Sequence, residues 1–256
     1  GRDVSALLVG VKDVIADYDY VCFAHDKKVT QLEPYSKGEG FAVKCFENIL
    51  ASREFVANVI EQFEKEPRLG LLTPTPPNHA EYFPIYSYGW SQNFVRTSRL
   101  LREMKLDVPL SPEKDVIAPL GTMFWFRPAA LKPLFDMDWT YEDFPGEPND
   151  NDGTLLHAVE RAYGYVAQGS GYFAGWLYSD KFARIELTNL SFYVQELTRA
   201  IGYHWPADTE MRMVHTLKED NGLRRHVKEI LRHTIPDRLH SPLRHVYDRT
   251  RRIVKK

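Results

Sequence analysis

Short apolar runs alternate with amphipathic helical stretches along the chain, and this alternation constrains the fold more than any other feature. Runs typical of strands occur at Asp19–Ala24, Leu69–Leu72 and Thr122–Phe126. Apolar residues recur at helical spacing before and between these runs, over Val4–Ala16 and from Phe55 to Phe63. The alternation predicts an α/β domain in which flanking helices cover a central sheet.

The other predicted elements rest on caps, prolines and shorter patterns. Ser52 is a candidate N-cap for the helix that contains Phe55. Pro128 suits the first turn of a helix that follows the third strand. Further helices are predicted at Phe41–Leu50 and Gly153–Tyr163, a fourth strand at Tyr165–Ala167, and an acidic loop at Trp139–Asn151.

Charge divides the chain into two parts. The segment 222–256 holds eleven basic and three acidic residues and therefore carries +8, which leaves −10 on the other 221 residues because the whole chain carries −2. Apolar residues in the segment recur at helical spacing on either side of Pro236 and Pro242, which predicts two basic amphipathic helices. We therefore predict an α/β domain at 1–221 and a basic helical tail at 222–256.

The basic tail has two interpretations. Basic amphipathic helices bind the surface of anionic bilayers, which predicts a cytoplasmic protein that is peripheral at the inner face of the plasma membrane. Alternatively, the apolar stripes of the tail pack on the body or on a partner helix. The acidic body argues against nucleic-acid binding, so no nucleic-acid partner is predicted.

Composition excludes several classes of protein. Cys22 and Cys45 are the only cysteines, which excludes a disulfide scaffold and a cysteine zinc site and indicates a reducing compartment. The apolar stretch Val116–Phe126 is too short for a membrane span, which needs roughly 20 residues. The residues that follow Gly1 do not have the pattern of a signal peptide. The usual motifs of dehydrogenases, P-loop NTPases, α/β-hydrolases and zincins do not occur.

The residues that follow the first strand are candidate ligands of a phosphate or a metal ion. Asp26 comes directly after a buried strand, where a carboxylate can hold Mg²⁺ or Mn²⁺ and, through the ion, a diphosphate. Lys27 can contact phosphate directly. The alternative is a turn at the end of the strand, with a solvated aspartate and a surface lysine.

The acidic loop supplies the candidate catalytic base. Five carboxylates lie between Glu142 and Asp152 with no basic residue among them. Such crowding raises the pKa of a carboxyl group and suits it to general-base work. Asp152 is the preferred candidate and Glu147 the second. A structural role stays open, because Asp152 also lies where it would cap the helix predicted to begin at Gly153.

An aromatic segment and one helix face complete the candidate site. Five aromatic residues lie between Tyr82 and Trp90, a composition that suits stacking on a sugar or the packing of a loop against the domain. His157 and Arg161 are four residues apart and share a face of the predicted helix. Arg161 can clamp diphosphate oxygens there or act as a surface or structural arginine.

Three motifs occur together: Gly1–Leu8 with Tyr18–Lys28, then Gly121–Pro128, then Asp152–Arg161. The combination resembles the rhamnan synthesis protein F family, glycosyltransferases that build rhamnose-containing cell-surface polysaccharides. The resemblance covers Gly1–Trp176 and implies a fold of GT-A type with a Rossmann-like sheet. It also implies transfer of L-rhamnose from dTDP-L-rhamnose to a growing polysaccharide, with inversion by single displacement.

The resemblance further implies roles for individual residues. Asp152 or Glu147 would be the base that activates the acceptor. Asp26 would hold the metal ion, and His25 stands where the family pattern has an acidic partner. The implied donor contacts are Gly1, Arg2, Asp3, Ser5, His25, Asp26, Lys27 and Arg161, and the implied acceptor contacts are Tyr86, Tyr88, Trp90, Trp125 and His157.

Domains of GT-A type hold the nucleotide base with βα units that precede the acidic motif, and only 25 residues precede Asp26 here. We therefore expect the chain to lack the first βα units and to be part of a longer protein. The expected partners are a dTDP-sugar donor and a glycan or lipid-linked glycan acceptor. A function of another class stays open: a non-catalytic module that binds glycan or assembles a polysaccharide synthesis complex.

Overall fold

The structure, a computed structural model, describes residues 2–26, 35–76, 89–114, 116–146, 148–150 and 152–201. The chain divides into two compact units, Gly1–Ile185 and Glu186–Lys256. The described residues of the second unit continue a single helix. The boundary predicted near residue 221 and both predicted tail helices lie outside the described residues.

One mixed sheet forms the centre of the first unit. Within the described residues its strands are β1 (Val21–Phe23), β2 (Leu69–Pro74), β3 (Phe124–Phe126) and β4 (Phe173–Leu177). Their order is β1-β3-β2-β4, where β3 is antiparallel to both neighbours and β4 is parallel to β2. The α/β class is confirmed. The antiparallel pairs are a difference from the parallel sheet that alternating helices and strands favour.

The side chains of β3 alternate between two hydrophobic clusters, one on each face of the sheet. Phe124 and Phe126 pack in the cluster that contains Tyr163, whereas Trp125 packs in the cluster that contains Phe63. All three β3 side chains are buried. The sheet therefore lies between two layers of helices, as the apolar patterns predicted.

Two helices, α3 (Tyr35–Leu50) and α4 (Arg53–Lys65), supply one of these layers. The predicted cap of α4 is confirmed, because the Ser52 hydroxyl accepts a hydrogen bond from the Phe55 N–H at 3.1 Å. Phe63 is fully buried under the sheet. Helix α3 begins six residues before the predicted Phe41.

The opposite layer combines the N-terminal helical segment with α5 (Phe94–Glu103) and α7 (Leu155–Gly169), whose apolar side chains share one cluster. The other helical elements are α1 (Arg2–Ser5), a π-helical turn (Ala6–Gly10), α2 (Lys12–Ile15), a 3-10 turn (Pro128–Leu131), α6 (Lys132–Phe135), a 3-10 turn (Tyr141–Asp143) and α8 (Asp180–Ile201).

No helix in the described part of the chain is long and apolar enough to cross a bilayer.

The N-terminal segment departs from the single regular helix that its apolar spacing predicts. Leu7 and Ile15 are buried as expected, but Val11 and Val14 are 36% and 52% exposed. The π-helical turn at Ala6–Gly10 takes more residues than a regular helical turn. It therefore rotates the following positions away from the predicted face.

The predicted strand at Tyr165–Ala167 is wrong. Helix α7 continues through it to Gly169, and β4 begins at Phe173. Tyr163, Val166 and Ala167 are all fully buried, so the run extends the apolar face of α7 at helical spacing. The predicted start at Gly153 is also early, because α7 begins at Leu155.

Candidate functional site

Most of the predicted site residues that the structure describes lie at one edge of the sheet. Strand β1 ends at this edge, and β3 begins there because the two strands are antiparallel. His25 follows β1, and Gly121 and Thr122 shortly precede β3. The N-terminal end of α7 and the loop before it bring further polar side chains to the same place.

His25 joins the N-terminal segment to the loop before β3. Its Nε2 atom lies 2.8 Å from the Gly121 carbonyl oxygen and 3.6 Å from Asp3 Oδ2. Its Nδ1 atom lies 2.8 Å from the Asp26 carbonyl oxygen. The ring is therefore fixed on both sides, while the Asp26 side chain beside it is exposed.

A buried ion pair on α7 continues this network. The Gly121 N–H donates to one carboxylate oxygen of Glu160, and Arg161 donates to the other. Arg161 also donates to the carbonyl oxygens of Gly89 at 3.0 Å and His157 at 3.3 Å. Both side chains of the pair are about nine-tenths buried. Arg161 therefore ties the loop near residue 89 to α7, and Glu160 holds the loop that contacts His25.

Asp152 is held by two side chains that precede α5. Ser91 Oγ donates to Oδ2 of Asp152, and Asn93 Nδ2 donates to Oδ1 at 2.7 Å. Burial acts to raise the pKa of Asp152, but these two hydrogen bonds and the charge of Arg161 outweigh it and lower the pKa. The carboxylate is thus kept ionised and oriented.

The predicted helix-cap role of Asp152 is wrong. Thr154 occupies the N-cap position of α7, two residues further along. Thr154 Oγ1 instead lies 2.9 Å from His157 Nδ1, which fixes the imidazole ring. The Nε2 atom of that ring has no hydrogen-bond partner among the residues that the structure describes.

Charged groups from three segments act on His157. Burial lowers its pKa most strongly, Arg161 and Arg2 lower it further, and Glu160 and Asp152 act to raise it. The net effect lowers the pKa, so the ring is uncharged near neutral pH. The structure therefore brings Arg2, Asp152, His157, Glu160 and Arg161 together, as the three motifs suggested.

Left-handed backbone conformations cluster around this network. Arg2, Ser91 and Thr122 have φ angles of 49°, 45° and 55°. A non-glycine residue in this region costs of the order of 1–3 kcal/mol and is enriched at functional sites. Thr122 is unusual, because β-branched residues rarely adopt positive φ. The strain marks the same loops that carry the polar contacts.

Asp26 was the predicted metal ligand. Among the described residues, no group of three or more His, Cys, Asp or Glu side chains is arranged to hold a metal ion. The Asp26 side chain is exposed, and the neighbouring His25 ring faces the Gly121 carbonyl. The metal site at Asp26 therefore stays a prediction.

Both tryptophans that were predicted to contact the acceptor lie in the interior. Trp90 donates its indole N–H to the carbonyl oxygens of Ser111 and Lys114, and its ring stacks on Tyr165 at 5.5 Å. Trp125 donates to the Ile49 carbonyl oxygen. Neither ring is available for stacking on a sugar in this structure.

The other predicted residues divide into two groups. Ser5 is buried and donates its hydroxyl to the Arg2 carbonyl oxygen at 3.0 Å, so it supports the local backbone. Arg2 itself donates to the Asn149 carbonyl oxygen at 2.9 Å. Gly1, Lys27, Tyr86, Tyr88 and Glu147 lie outside the described residues.

Several residues of the network were missed in the sequence. Gly121 and Glu160 lie inside the quoted motifs, so the motifs themselves carried a signal for them. Ser91 and Asn93 had none, because their contacts with Asp152 join segments about 60 residues apart. Tyr163 was also missed: its buried hydroxyl has no hydrogen-bond partner among the described residues, and the charges of Asp3 and Glu160 add to burial in raising its pKa.

Comparison with known proteins identifies the family. The family model described as rhamnan synthesis protein F matches residues 1–172, about two thirds of the chain. The chain belongs to the rhamnan synthesis protein F family. The match contains all three motifs and every described residue of the network around His25 and Asp152. Membership connects the chain with the synthesis of rhamnan polysaccharide.

Two curated relatives of this family member come from Xanthomonas campestris pv. campestris. The "Uncharacterized protein WxcX" of strain B100 is 39% identical over 173 residues, which cover 67% of this chain and 23% of the relative. The protein of the same name in strain ATCC 33913 is 39% identical over 62 residues, which cover 24% of this chain and 9% of the relative. The chain thus spans at most about a quarter of these relatives. No solved structure matches it.

Proposed function

We propose that the chain is a glycosyltransferase domain of GT-A type that transfers L-rhamnose from dTDP-L-rhamnose to a growing cell-surface polysaccharide. The observation that carries the proposal is the position of Asp152. Its oriented, ionised carboxylate lies in one network with Arg2, His157 and the Glu160–Arg161 pair. Membership in the rhamnan synthesis protein F family supports this choice of sugar.

The proposed reaction is a single displacement. Asp152 accepts the proton of an acceptor hydroxyl while that oxygen forms a bond to the anomeric carbon. The bond from this carbon to the diphosphate oxygen breaks on the opposite face, and dTDP leaves with the electron pair. Inversion follows because attack and departure occur on opposite faces.

The leaving diphosphate needs nearby positive charge or hydrogen-bond donors. Arg161 is committed to Glu160 and to two carbonyl oxygens, so its role in the proposal is to support the site. We assign the diphosphate to Arg2, His25 and Lys27, with Asp3, Ser5 and the Gly1 backbone beside them. This assignment does not require a metal ion at Asp26.

The acceptor side is assigned to the groups around His157. The Nε2 atom of its ring, which has no partner in the described part of the chain, is suited to hydrogen bonding with an acceptor hydroxyl. Tyr86 and Tyr88 keep their proposed role in stacking on the sugar. Asp152 lies three residues before the start of α7 and His157 lies in its first turn, and the charge of Asp152 acts on the His157 ring. We therefore assign both side chains to one acceptor residue.

The first test is donor turnover by Asp152→Asn. We expect release of dTDP from dTDP-L-rhamnose to fall by about 100-fold or more, the range for loss of a general base. Asp150→Asn is the matched control, because this exposed carboxylate lies two residues away in the same loop. Circular dichroism would check that both variants are folded. Equal turnover by the two variants would remove Asp152 as the base.

The second test is calorimetric titration of dTDP-L-rhamnose with Mn²⁺ or with EDTA. We expect binding to persist in EDTA and in Asp26→Ala, and to weaken by about tenfold in Arg2→Ala, because one charged contact to phosphate is lost. Binding that requires both Mn²⁺ and Asp26 would contradict the assignment of the diphosphate to side-chain cations.

A non-catalytic module that binds glycan or assembles a synthesis complex is the second candidate. One observation favours it: both oxygens of Asp152 already accept hydrogen bonds, and its lowered pKa makes it a weak base. If the chain is such a module, the wild-type form and the Asp152→Asn variant bind rhamnose oligosaccharides equally well. It would release no dTDP in either form.

A further inference from the structure

A cleft of about 410 Å³ opens between α5, the start of α7 and the segment 137–143. Its size lies within the range of small-molecule sites. Arg96, Arg99 and Glu103 line it from α5, and Leu155 lines it from α7. Trp139 lies on the third side. Neither the family match nor the three motifs assign this cleft a role.

The two helices that line the cleft, α5 and α7, both begin close to Asp152. Helix α5 starts at Phe94, directly after Asn93, whose side-chain amide donates to Asp152 at 2.7 Å. Helix α7 starts at Leu155, three residues after Asp152. Arg96 and Leu155 therefore bring the lining of the cleft within three residues of Asn93 and Asp152 along the chain.

The lining has the chemistry of a carbohydrate site. Arg96 and Arg99 are exposed, and neither forms an ion pair or hydrogen bond through its guanidinium in the described part of the chain. A planar guanidinium or carboxylate can hydrogen-bond to two adjacent hydroxyl groups of a sugar, as it does to other paired oxygens. Glu103 provides a carboxylate on the same helix, and Asp143, whose Oδ2 already accepts hydrogen bonds from Thr140, provides one on the segment 137–143.

The aromatic side chain of the cleft is held rigidly. Trp139 donates its indole N–H to the Leu134 carbonyl oxygen at 2.8 Å, and its ring packs 5.4 Å from Phe144. A fixed ring offers a surface on which the C–H face of a sugar can pack. Leu100 and Leu155 add apolar surface beside it.

The balance of charge indicates a neutral ligand. Two arginines and three carboxylates line the cleft, and one of the carboxylates, Asp138, is already paired with Lys12 at 2.9 Å. A phosphate or a uronic acid would meet as many negative charges as positive ones. Neutral deoxysugar residues carry hydroxyls and apolar faces, and the carboxylates of the cleft do not repel them.

We propose that the cleft is an acceptor subsite for the neutral sugar residues that precede the reacting end of the glycan. The proposal rests on the proposed function for placing the reacting hydroxyl at Asp152 and for the choice of rhamnose as the sugar. The ligand class is a neutral oligosaccharide, and the probe is an α-linked rhamnose trisaccharide.

The test titrates this trisaccharide into the chain and follows the Trp139 indole N–H by NMR, with assignment from Trp139→Phe. We expect Arg96→Ala combined with Arg99→Ala to weaken binding by about tenfold or more. Arg102→Ala is the matched control, because Arg102 is exposed on the same helix but does not line the cleft. We expect this control to leave the Kd within about twofold of wild type.

Three outcomes would overturn the subsite: no trisaccharide binding to the wild-type chain, equal binding by the double variant and Arg102→Ala, or tighter binding of a galacturonate trisaccharide. Donor hydrolysis, measured on the same variants, separates this proposal from the glycosyltransferase. Hydrolysis without trisaccharide binding would overturn only the subsite. Trisaccharide binding that depends on the two arginines, without hydrolysis, would support the cleft and count against the transferase.

Discussion

At the scale of single residues, His157 predicts how stability depends on pH. Its pKa in the folded chain is below the ordinary value of 6.5, chiefly because the ring is partly buried. The unfolded chain therefore binds more protons as the pH falls through 6.5, and stability decreases. The full free energy of unfolding is therefore retained above pH 6.5. The contribution that depends on uncharged His157 is lost as the pH falls through the lower pKa of the folded chain.

We expect the free energy of unfolding in urea to fall between about pH 7.5 and 5.5 in wild type, and to fall less in His157→Gln. The comparison of the two chains cancels the contributions of the other eight histidines. Parallel curves for the two proteins would show that His157 does not titrate with a shifted pKa.

Single residues also show where sequence reasoning stops. His157 and Arg161 were correctly placed on one side of a helix, because spacing within a helix determines which side chains are neighbours. Trp125 was assigned to the acceptor although alternation along a strand assigns it to a face of the sheet, and that face is covered by α3 and α4. The partners of Asp152 could not be predicted, since long-range loop contacts leave no local pattern.

At the scale of elements, the surroundings of Gly164 predict that α7 does not tolerate a larger side chain at this position. A Cβ atom at this position would overlap the Ile117 carbonyl oxygen, which belongs to the backbone of the loop before β3. Alanine is favoured over glycine in a helix by about 1 kcal/mol, so propensity alone predicts a gain. We expect the overlap to outweigh this gain and Gly164→Ala to lower the melting temperature.

Gly169→Ala is the matched control on the same helix, because its Cβ would meet only the Leu106 side chain, which can move. We expect its melting temperature to lie above that of Gly164→Ala in differential scanning calorimetry. The reverse order would show that the loop at Ile117 yields more readily than Leu106.

Elements were predicted best where a local signal marks their ends. The cap at Ser52 located the start of α4 to the residue, and β1, β2 and β3 lie at the predicted apolar runs. Helix α5 was missed because polar residues outweigh apolar ones in Phe94–Glu103. The length of α7 was missed because a short apolar run fits a strand and a buried helix equally well.

At the scale of the whole molecule, the separation of charge predicts where the chain binds. The described unit is part of an acidic body, and the segment 222–256 carries +8. Basic residues near an anionic bilayer contribute about 1 kcal/mol each. We propose that the tail holds the body at the inner face of the plasma membrane, close to a lipid-linked acceptor.

Sedimentation with vesicles tests this placement. We expect the chain to bind vesicles that contain phosphatidylglycerol and to dissociate from them at high salt, because salt screens the charges. We expect no binding to vesicles of phosphatidylcholine alone. A chain truncated after Asn221 should bind neither kind. If the truncated chain binds as well as the full chain, the tail is not the membrane contact.

The pairing of β1 with β3 determines when the proposed site can form during synthesis. Val21 lies opposite Phe126, so β1 can pair with β3 only after roughly a hundred further residues have been synthesised. This synthesis takes on the order of 5–20 s at ribosomal rates. Glu160, which holds the Gly121 loop against His25, emerges later still. During this time the apolar side chains of residues 4–15 lack the packing partners that β3, α5 and α7 contribute to their cluster. The proposed site therefore assembles late, and a nascent chain that stops before α7 lacks His157, Glu160 and Arg161.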